Sequence, residues 1–384
     1  MIVKIGDVIS EYSVRNKFDE NIPVYSVTNE KGFCTGYFSK EVASKDKSTY
    51  KIVPRGYFAY NPSRINVGSV DWQKYEDRVI VSPLYVVFGV SDRLDRQYLL
   101  HYLKSDMMLS FIKEYATGSV RDNLKLADLG KFPINLRPVE EQRQIAATLD
   151  KIDELIAKRR QQLDKLDELV KSRFIEMFGD PMTNPYNLPK VILGSVLTIE
   201  PQNGLYKPQF DYVSDGTGVP ILRIDSFYEG KVSNLSSLKR LICSEIELKR
   251  YSLYENDIVI NRVNSIEYLG KCGLIQGLVE NTVFESNMMR LHVDEHKFHP
   301  VYITKLLCSE FIYQQILRRA KKAVNQASIN QKDVQSFVVY MPPIEQQDQF
   351  AAFVKQTDKS KLAIQKSLEK LEILKKSLMQ KYFG

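Results

Sequence analysis

Cysteine is scarce. Cys34, Cys243, Cys272 and Cys308 are the only four in 384 residues, and no two stand in a CxxC pair. That spacing argues against a zinc ribbon and fits reduced thiols in a cytoplasmic protein. Long hydrophobic runs are also missing. The longest, Leu84–Val90, falls far short of the roughly 18 residues a membrane span needs. The opening MIVKIGDVIS has no basic stretch followed by an apolar one, so no secretory leader is expected. No GxxxxGK phosphate loop occurs, and no FxGxG loop for S-adenosylmethionine. Asn61-Pro62-Ser63 lacks the second proline and the aromatic with which adenine methyltransferases clamp a flipped base. Of the four histidines, His292, His296 and His299 have a loosely metal-like spacing around Val293-Asp294-Glu295, a turn-like stretch in which a surface or packing role is expected. No enzyme activity, cofactor or metal is therefore expected. The excess of positive charge is small, +7 from 54 basic and 47 acidic residues, which permits nucleic-acid binding without demanding it.

What the chain does have is size, apolar content and repetition. Its length suggests two to three domains. With 43% hydrophobic and 26% charged residues it belongs with folded globular proteins. Residues 121–179 align without a gap on residues 326–384, at a constant offset of 205, with 17 of 59 positions identical. Asp128/Asp333, Phe132/Phe337, Pro138/Pro343, Glu140/Glu345, Gln142/Gln347, Leu166/Leu371 and Phe178/Phe383 are among them. Chance identity is about one in sixteen for ordinary composition, so the chain is internally duplicated.

Upstream the repeat weakens in an orderly way. Ile5-Gly6-Asp7-Val8 resembles Leu193-Gly194-Ser195-Val196 at offset 188, and Ile22-Pro23-Val24 resembles Val219-Pro220-Ile221 at 197. Asn61 meets Asn261 at 200 and Ser82 meets Ser286 at 204. The offset only rises, as insertions in the loops of the second copy would make it. The expected order is a variable domain at 1–135, a helical region at 136–180, a second variable domain at 181–340 and a second helical region at 341–384.

Pro138-Val-Glu-Glu-Gln and Pro343-Ile-Glu-Gln-Gln place proline at a helix entry, where its missing N–H costs nothing, and acids in the first turn, where they match the dipole. Ile145, Leu149, Ile152, Ile156, Leu163 and Leu166 then recur at spacings of three and four. Val354, Ile364, Leu368 and Leu371 continue the pattern in the second copy. Charges break the two seams at different places, Arg159 in one and Lys361 in the other. Neither stripe is complete alone, so the two helices, of about 33 residues and about 50 Å, are expected to pack on each other as an antiparallel coiled coil. Phe-Gly ends each, with Gly179 and Gly384 past the last turn.

The variable domains read as mixed α/β. Val79–Val81, Tyr85–Phe88, Asp257–Ile260 and Val338-Val339 are β-branched runs bounded by turn residues. Residues 97–115 and 300–322 have helical periodicity. Arginine and asparagine can make bidentate contacts to base edges, while lysine and tyrosine suit phosphates. On that chemistry Arg55, Tyr60, Asn61, Arg64, Arg121, Arg223, Asn261, Arg262, Asn264 and Gln326 are the candidate DNA-contacting side chains.

Two segments carry a family likeness: DLGKFPINLRPVEEQRQIAATLDKIDELI and DVQSFVVYMPPIEQQDQFAAFVKQTD. A hydrophobic strand, prolines, Glu-Gln and a long helix, each closing a variable domain, resemble the conserved regions of type I restriction–modification specificity subunits. The first copy has Arg137-Pro138 where a proline pair is usual, and the second has Gln346 where a second acid is usual. The resemblance implies a non-catalytic, cytoplasmic subunit on double-stranded DNA, with no membrane partner. Each domain would read one half of a split target, and the helices would hold the halves apart. The same resemblance implies docking of two modification (methyltransferase) subunits, with restriction subunits joining later. An orphan specificity protein and a coiled-coil adaptor that does not bind DNA remain as alternatives.

Overall fold

The computed structural model describes residues 1–36, 46–115, 123–232 and 235–384. It divides into two compact units, Met1–Gln162 with Ile364–Gly384, and Leu163–Ala363. These cut across the four-part order above, because each unit takes in a stretch of both long helices. The architecture is α+β, a duplicated mixed α/β domain with two long helices.

The two domains share one frame. In the first unit an antiparallel sheet runs in the order Ile9–Glu11, Val86–Val90, Phe58–Tyr60, Val70–Trp72. In the second the order is Leu197–Asn203, Met288–Val293, Ile258–Asn261, Cys272–Leu274, extended by Gly230–Val232 and Phe227–Tyr228. The central strands Phe58–Tyr60 and Ile258–Asn261 are buried along their whole length. Successive side chains leave a strand on opposite faces. Phe58 and Tyr60 enter one core and Ala59 another, just as Ile258 and Ile260 separate from Val259. Two covered faces explain why these strands read as continuous apolar runs rather than as alternation.

A second pairing closes each domain. Val3 opposes Ile134 in one, and Val191 opposes Val339 in the other. The offsets of 188 and 205 read from the sequence thus reappear as strand register.

Residues 97–115 and 300–322 are not single helices. The first holds Arg96–Leu103 and Asp106–Tyr115, the second Pro300–Leu307 and Glu310–Arg319, and Lys321–Lys322 is a strand. Serine causes the breaks. The Ser105 hydroxyl donates to the Tyr102 carbonyl at 2.7 Å and that of Ser309 to the Leu306 carbonyl at 2.6 Å, local bonds that compete with helix continuation.

The long helices, Val139–Phe178 and Ile344–Phe383, have 40 residues each and so run about 60 Å rather than 50. Gly179 takes φ +75° and its N–H donates to the Ile175 carbonyl at 2.8 Å, the expected helix stop. In the first unit the two segments run antiparallel, tied by Lys375–Asp153 at 2.5 Å and Arg160–Glu372 at 2.9 Å. In the second they do so again through Lys361–Asp167 and the Phe174–Phe350 ring contact at 5.5 Å. Lys361, the charge that interrupts the stripe, is buried and neutralised by Asp167.

Seam burial is uneven. Ile145, Leu149, Ile152, Ile156 and Val354 are buried, whereas Leu163, Leu166, Ile364, Leu368 and Leu371 are half-buried. The firm anchoring lies where a domain covers the helix. Phe383, ending the second helix, packs on Tyr98 and Tyr102 of the first domain, and Phe178, ending the first, packs on Tyr302 of the second. Gln142 and Gln347, fully buried, fix the helix starts. Gln142 accepts from the Asp95 N–H and donates to the Arg93 and Arg137 carbonyls. Gln347 accepts from the His299 N–H and donates to the Lys297 and Pro342 carbonyls.

Candidate nucleic-acid interface

Each central strand leaves its sheet at an asparagine, and there the candidate residues collect. In the first domain the loop after Tyr60 turns on Asn61, whose side-chain oxygen accepts from the Ser63 N–H at 3.1 Å while its carbonyl accepts from the Arg64 N–H at 2.9 Å. Arg64 is held exposed at the start of the short helix Ile65–Val67. The Leu124 N–H donates to the Pro62 carbonyl at 3.2 Å, which ties this loop to the segment that follows Arg121. Arg121 itself lies outside the described residues.

The second domain builds a larger version. The Arg262 guanidinium donates to the Ser286 carbonyl at 3.1 Å, and Arg223 sits 3.6 Å from the Glu285 carboxylate. Neighbouring residues of one strand end therefore gather both arginines. Burial raises the Glu285 carboxyl above its ordinary range, against the Ile224 N–H and Arg223, which favour its charge. Asn264 lies on Val263–Asn264, which pairs with Ala327–Ser328, which in turn pairs with Lys321–Lys322. This small sheet carries a hairpin on which Lys321, Lys322, Asn325 and Gln326 are exposed and Val324 is 99% exposed. Arg223, Arg262, Asn264 and Gln326 are thus brought into one region. Asn261 Oδ1 and Arg262 Nε are buried there without a hydrogen-bond partner among the described residues.

One expectation needs correction. Tyr60 is fully buried, its hydroxyl donating to the Leu124 carbonyl at 3.0 Å, and burial pushes that hydroxyl well above its usual range. It is a core residue that braces the loop and offers no surface to a phosphate. Arg55 lies at the other end of the same strand from Asn61. There it bonds Asp77, the Tyr75 carbonyl and the Glu76 carbonyl, holding a turn. Asn261 is 1% exposed, so its side chain reaches a ligand only from within the loop.

Sequence reading missed the lysine hairpin because the helical period of the preceding segment runs on into Lys322. His292 bonds Asp257 at 2.9 Å and Glu295 at 3.2 Å, while the His299 ring accepts from the Val301 N–H and caps Pro300–Leu307. No helix among the described residues is long and apolar enough to cross a membrane.

The family described as "Type I restriction modification DNA specificity domain" matches residues 2–168 and again residues 188–375. The chain belongs to this family. It is 27% identical over 307 residues to the type I restriction enzyme EcoKI specificity subunit of Escherichia coli (strain K12), a match covering 74% of this chain and 64% of that protein. It is 31% identical over 185 residues to the putative type I restriction enzyme MjaX specificity subunit of Methanocaldococcus jannaschii, covering 47% and 42%. The matched part therefore spans less than two thirds of either relative. Among solved structures, the type I restriction–modification S subunit from M. genitalium aligns over 100% of this chain and 96% of its own, with TM-score 0.60 and 14% identity. A chain from the structure of type I R-M complex assembly and conformational transition aligns over 100% and 97%, with TM-score 0.53 and 18% identity. These likenesses establish the fold.

Proposed function

We propose that the chain is the non-catalytic DNA-specificity subunit of a type I restriction–modification complex. Residues 1–135 and 181–340 are the two readers, each taking one half of a split double-stranded target. Residues 136–180 and 341–384 form the frame that sets the gap and docks two modification subunits, with restriction subunits joining the assembly. The observation that carries this reading is the same loop, leaving the same central strand at Asn61 and at Asn261, presenting arginine and amide side chains on a duplicated frame.

In the first domain Arg64 is the leading base reader, with Asn61 shaping the loop and Arg121 as a second base contact. In the second, Arg262, Asn264 and Gln326 face base edges, Arg223 supports them, and Lys321 and Lys322 meet phosphates. A two-stranded ribbon fits the major groove of B-DNA, which suits the hairpin to that place. Apolar side chains left open on the long helices, Leu362 at 52% and Ile373 at 69% exposure, suit the docking of modification subunits.

The test is methylome sequencing of a host carrying the cognate modification subunit, with and without this chain. A split motif that appears only with the chain supports the reading. Unchanged methylation, with no sequence-selective DNA binding by the assembled complex, would overturn it.

A further inference from the structure

The second unit contains a recess of about 530 Å³ that the DNA-reading loops do not use. Phe174, Gly270, Cys272, Lys305, Cys308 and Tyr313 are among its lining residues. Cys272 sits fully buried on the strand Cys272–Leu274, its thiol donating to the Gly270 carbonyl at 3.2 Å. Cys308 caps the end of Pro300–Leu307; the residue is exposed, while its thiol lies among packed atoms and lines the same recess. A helix end and a sheet strand thus set two cysteines 36 positions apart in sequence on one recess. Gly230, paired with Gly273 next to Cys272, leaves room for Cys308 and Lys305. A β-carbon there would stand 3.6 Å from the Cys308 sulfur and 3.6 Å from Lys305 Nζ.

The duplication supplies an internal control. Val70 opposes Tyr60 in the first domain as Cys272 opposes Ile260 in the second, and Lys104 caps the helix that corresponds to the one capped by Cys308. The fold therefore needs neither cysteine, and the pair is peculiar to the second copy.

We propose that Cys308 and Cys272 form a peroxide-sensitive dithiol site, with Cys308 the attacking thiol and Cys272 the resolving one. The Cys308 thiolate attacks one oxygen of a hydroperoxide. The O–O bond breaks, a sulfenic acid forms, and the departing hydroxide (or alkoxide) takes up a proton. The Cys272 sulfur then attacks the sulfenic sulfur, the S–O bond breaks, and water leaves with the Cys272 proton. Two electrons pass from the thiols to the peroxide, and a disulfide ties the strand to the helix junction. Reactive thiols are those that are accessible, lie in electropositive surroundings and have a partner cysteine at hand. The neighbouring Cys272 thiol and then the Lys305 charge hold the Cys308 thiol below its usual range, although burial opposes them. Cys308 beside it, followed by burial, raises that of Cys272. The strand also adjoins the reading loop, since the Lys271 carbonyl accepts the Asn261 N–H at 2.9 Å.

The experiment treats the reduced full chain with hydrogen peroxide and maps all four cysteines by mass spectrometry under non-reducing conditions. The expected result is a Cys272–Cys308 cross-linked peptide, forming about tenfold faster than oxidation at Cys34 or Cys243. Cys308→Ser should abolish it. Cys272→Val, which copies the first domain, should leave Cys308 as a sulfenic acid trapped by dimedone. Cys308 reacting no faster than Cys34 and Cys243, or a disulfide joining any other pair, would overturn the proposal.

Discussion

The first and second domains carry the same sheet order, the same broken helix pair and the same terminal phenylalanine, yet their candidate reading regions differ. The first presents Arg64 on a short loop. The second gathers Arg223 and Arg262 beside Glu285 and Ser286, and adds a lysine hairpin. Positions that make the frame are held by burial, and a change there costs the whole unit. Positions in the loops answer only to whatever they touch, so they drift. That is why the repeat is gapless from residue 121 onward and has a rising offset before it.

The sharpest way to break the comparison is to remove the ring that seals each unit. Phe178→Ala should destabilise the second unit by about 3–5 kcal/mol, the usual range for losing a buried phenylalanine. Phe178 contacts the three rings of Phe174, Tyr302 and Phe350, whereas Phe383, likewise the last residue of its helix, meets the two rings of Tyr98 and Tyr102. Phe383→Ala should therefore cost less, and only in the first unit. Hydrogen exchange resolved by unit checks this, and an equal drop in protection in both units from either variant would contradict it.

Gln142→Ala and Gln347→Ala should then behave alike. Each leaves an N–H and two carbonyls without their buried partner, at about 2 kcal/mol. Chemical denaturation of the two variants measures it. A cost confined to one of them would show that the repeated Glu-Gln motif does not serve both copies in the same way.

On the proposed function, the reading loops should separate where the frame does not. Arg64→Ala should relax one half of the methylated motif, and Arg262→Ala with Asn264→Ala the other, by about 1–3 kcal/mol for each bidentate bond to a base edge that the substitution removes. Lys321→Ala and Lys322→Ala should weaken binding to all sequences and flatten its salt dependence. Methylomes and salt titrations with the partner subunits present read both. An Arg262 variant that altered both halves would end the idea of independent readers.

The smallest effect expected is a difference in acid response. Burial raises Asp257 and Glu285 in the second unit, so their folded values lie above the unfolded ones. Their ionisation opposes folding at neutral pH, and that penalty is relieved as pH falls through the raised folded values toward the ordinary carboxylate range. Asp150 of the first unit is partly buried, which pushes it up. Hydrogen bonds from His101 and Gln97 outweigh this, and its value is lowered. The stability it contributes is full above the ordinary aspartate value and is lost as pH falls below it. Hydrogen exchange between pH 7 and about pH 4 should show these groups favouring the second unit on acidification. The difference should vanish in Asp257→Asn with Glu285→Gln.

By itself the sequence determined the duplication, the long helices, their mutual dependence and the mixed α/β class. All of these are periodic signals summed over many residues, so single exceptions do not erase them. It also located the two loops at Asn61 and Asn261, since strand-ending polar clusters are local. Only the tertiary structure decided which members of those loops face outward. Tyr60 and Asn261 look like surface residues in sequence and are buried, because the adjoining segments at Leu124 and Ile329 close over their loops. It alone showed that Gln142 and Gln347 pin the helix starts, that serines split the helix pairs, and that Lys321–Lys322 leave helix for strand. It alone set Cys272 and Cys308 on one recess. A contact between residues far apart in the chain has no local period to announce it, and it exists only once the packing that closes the loop between them has formed.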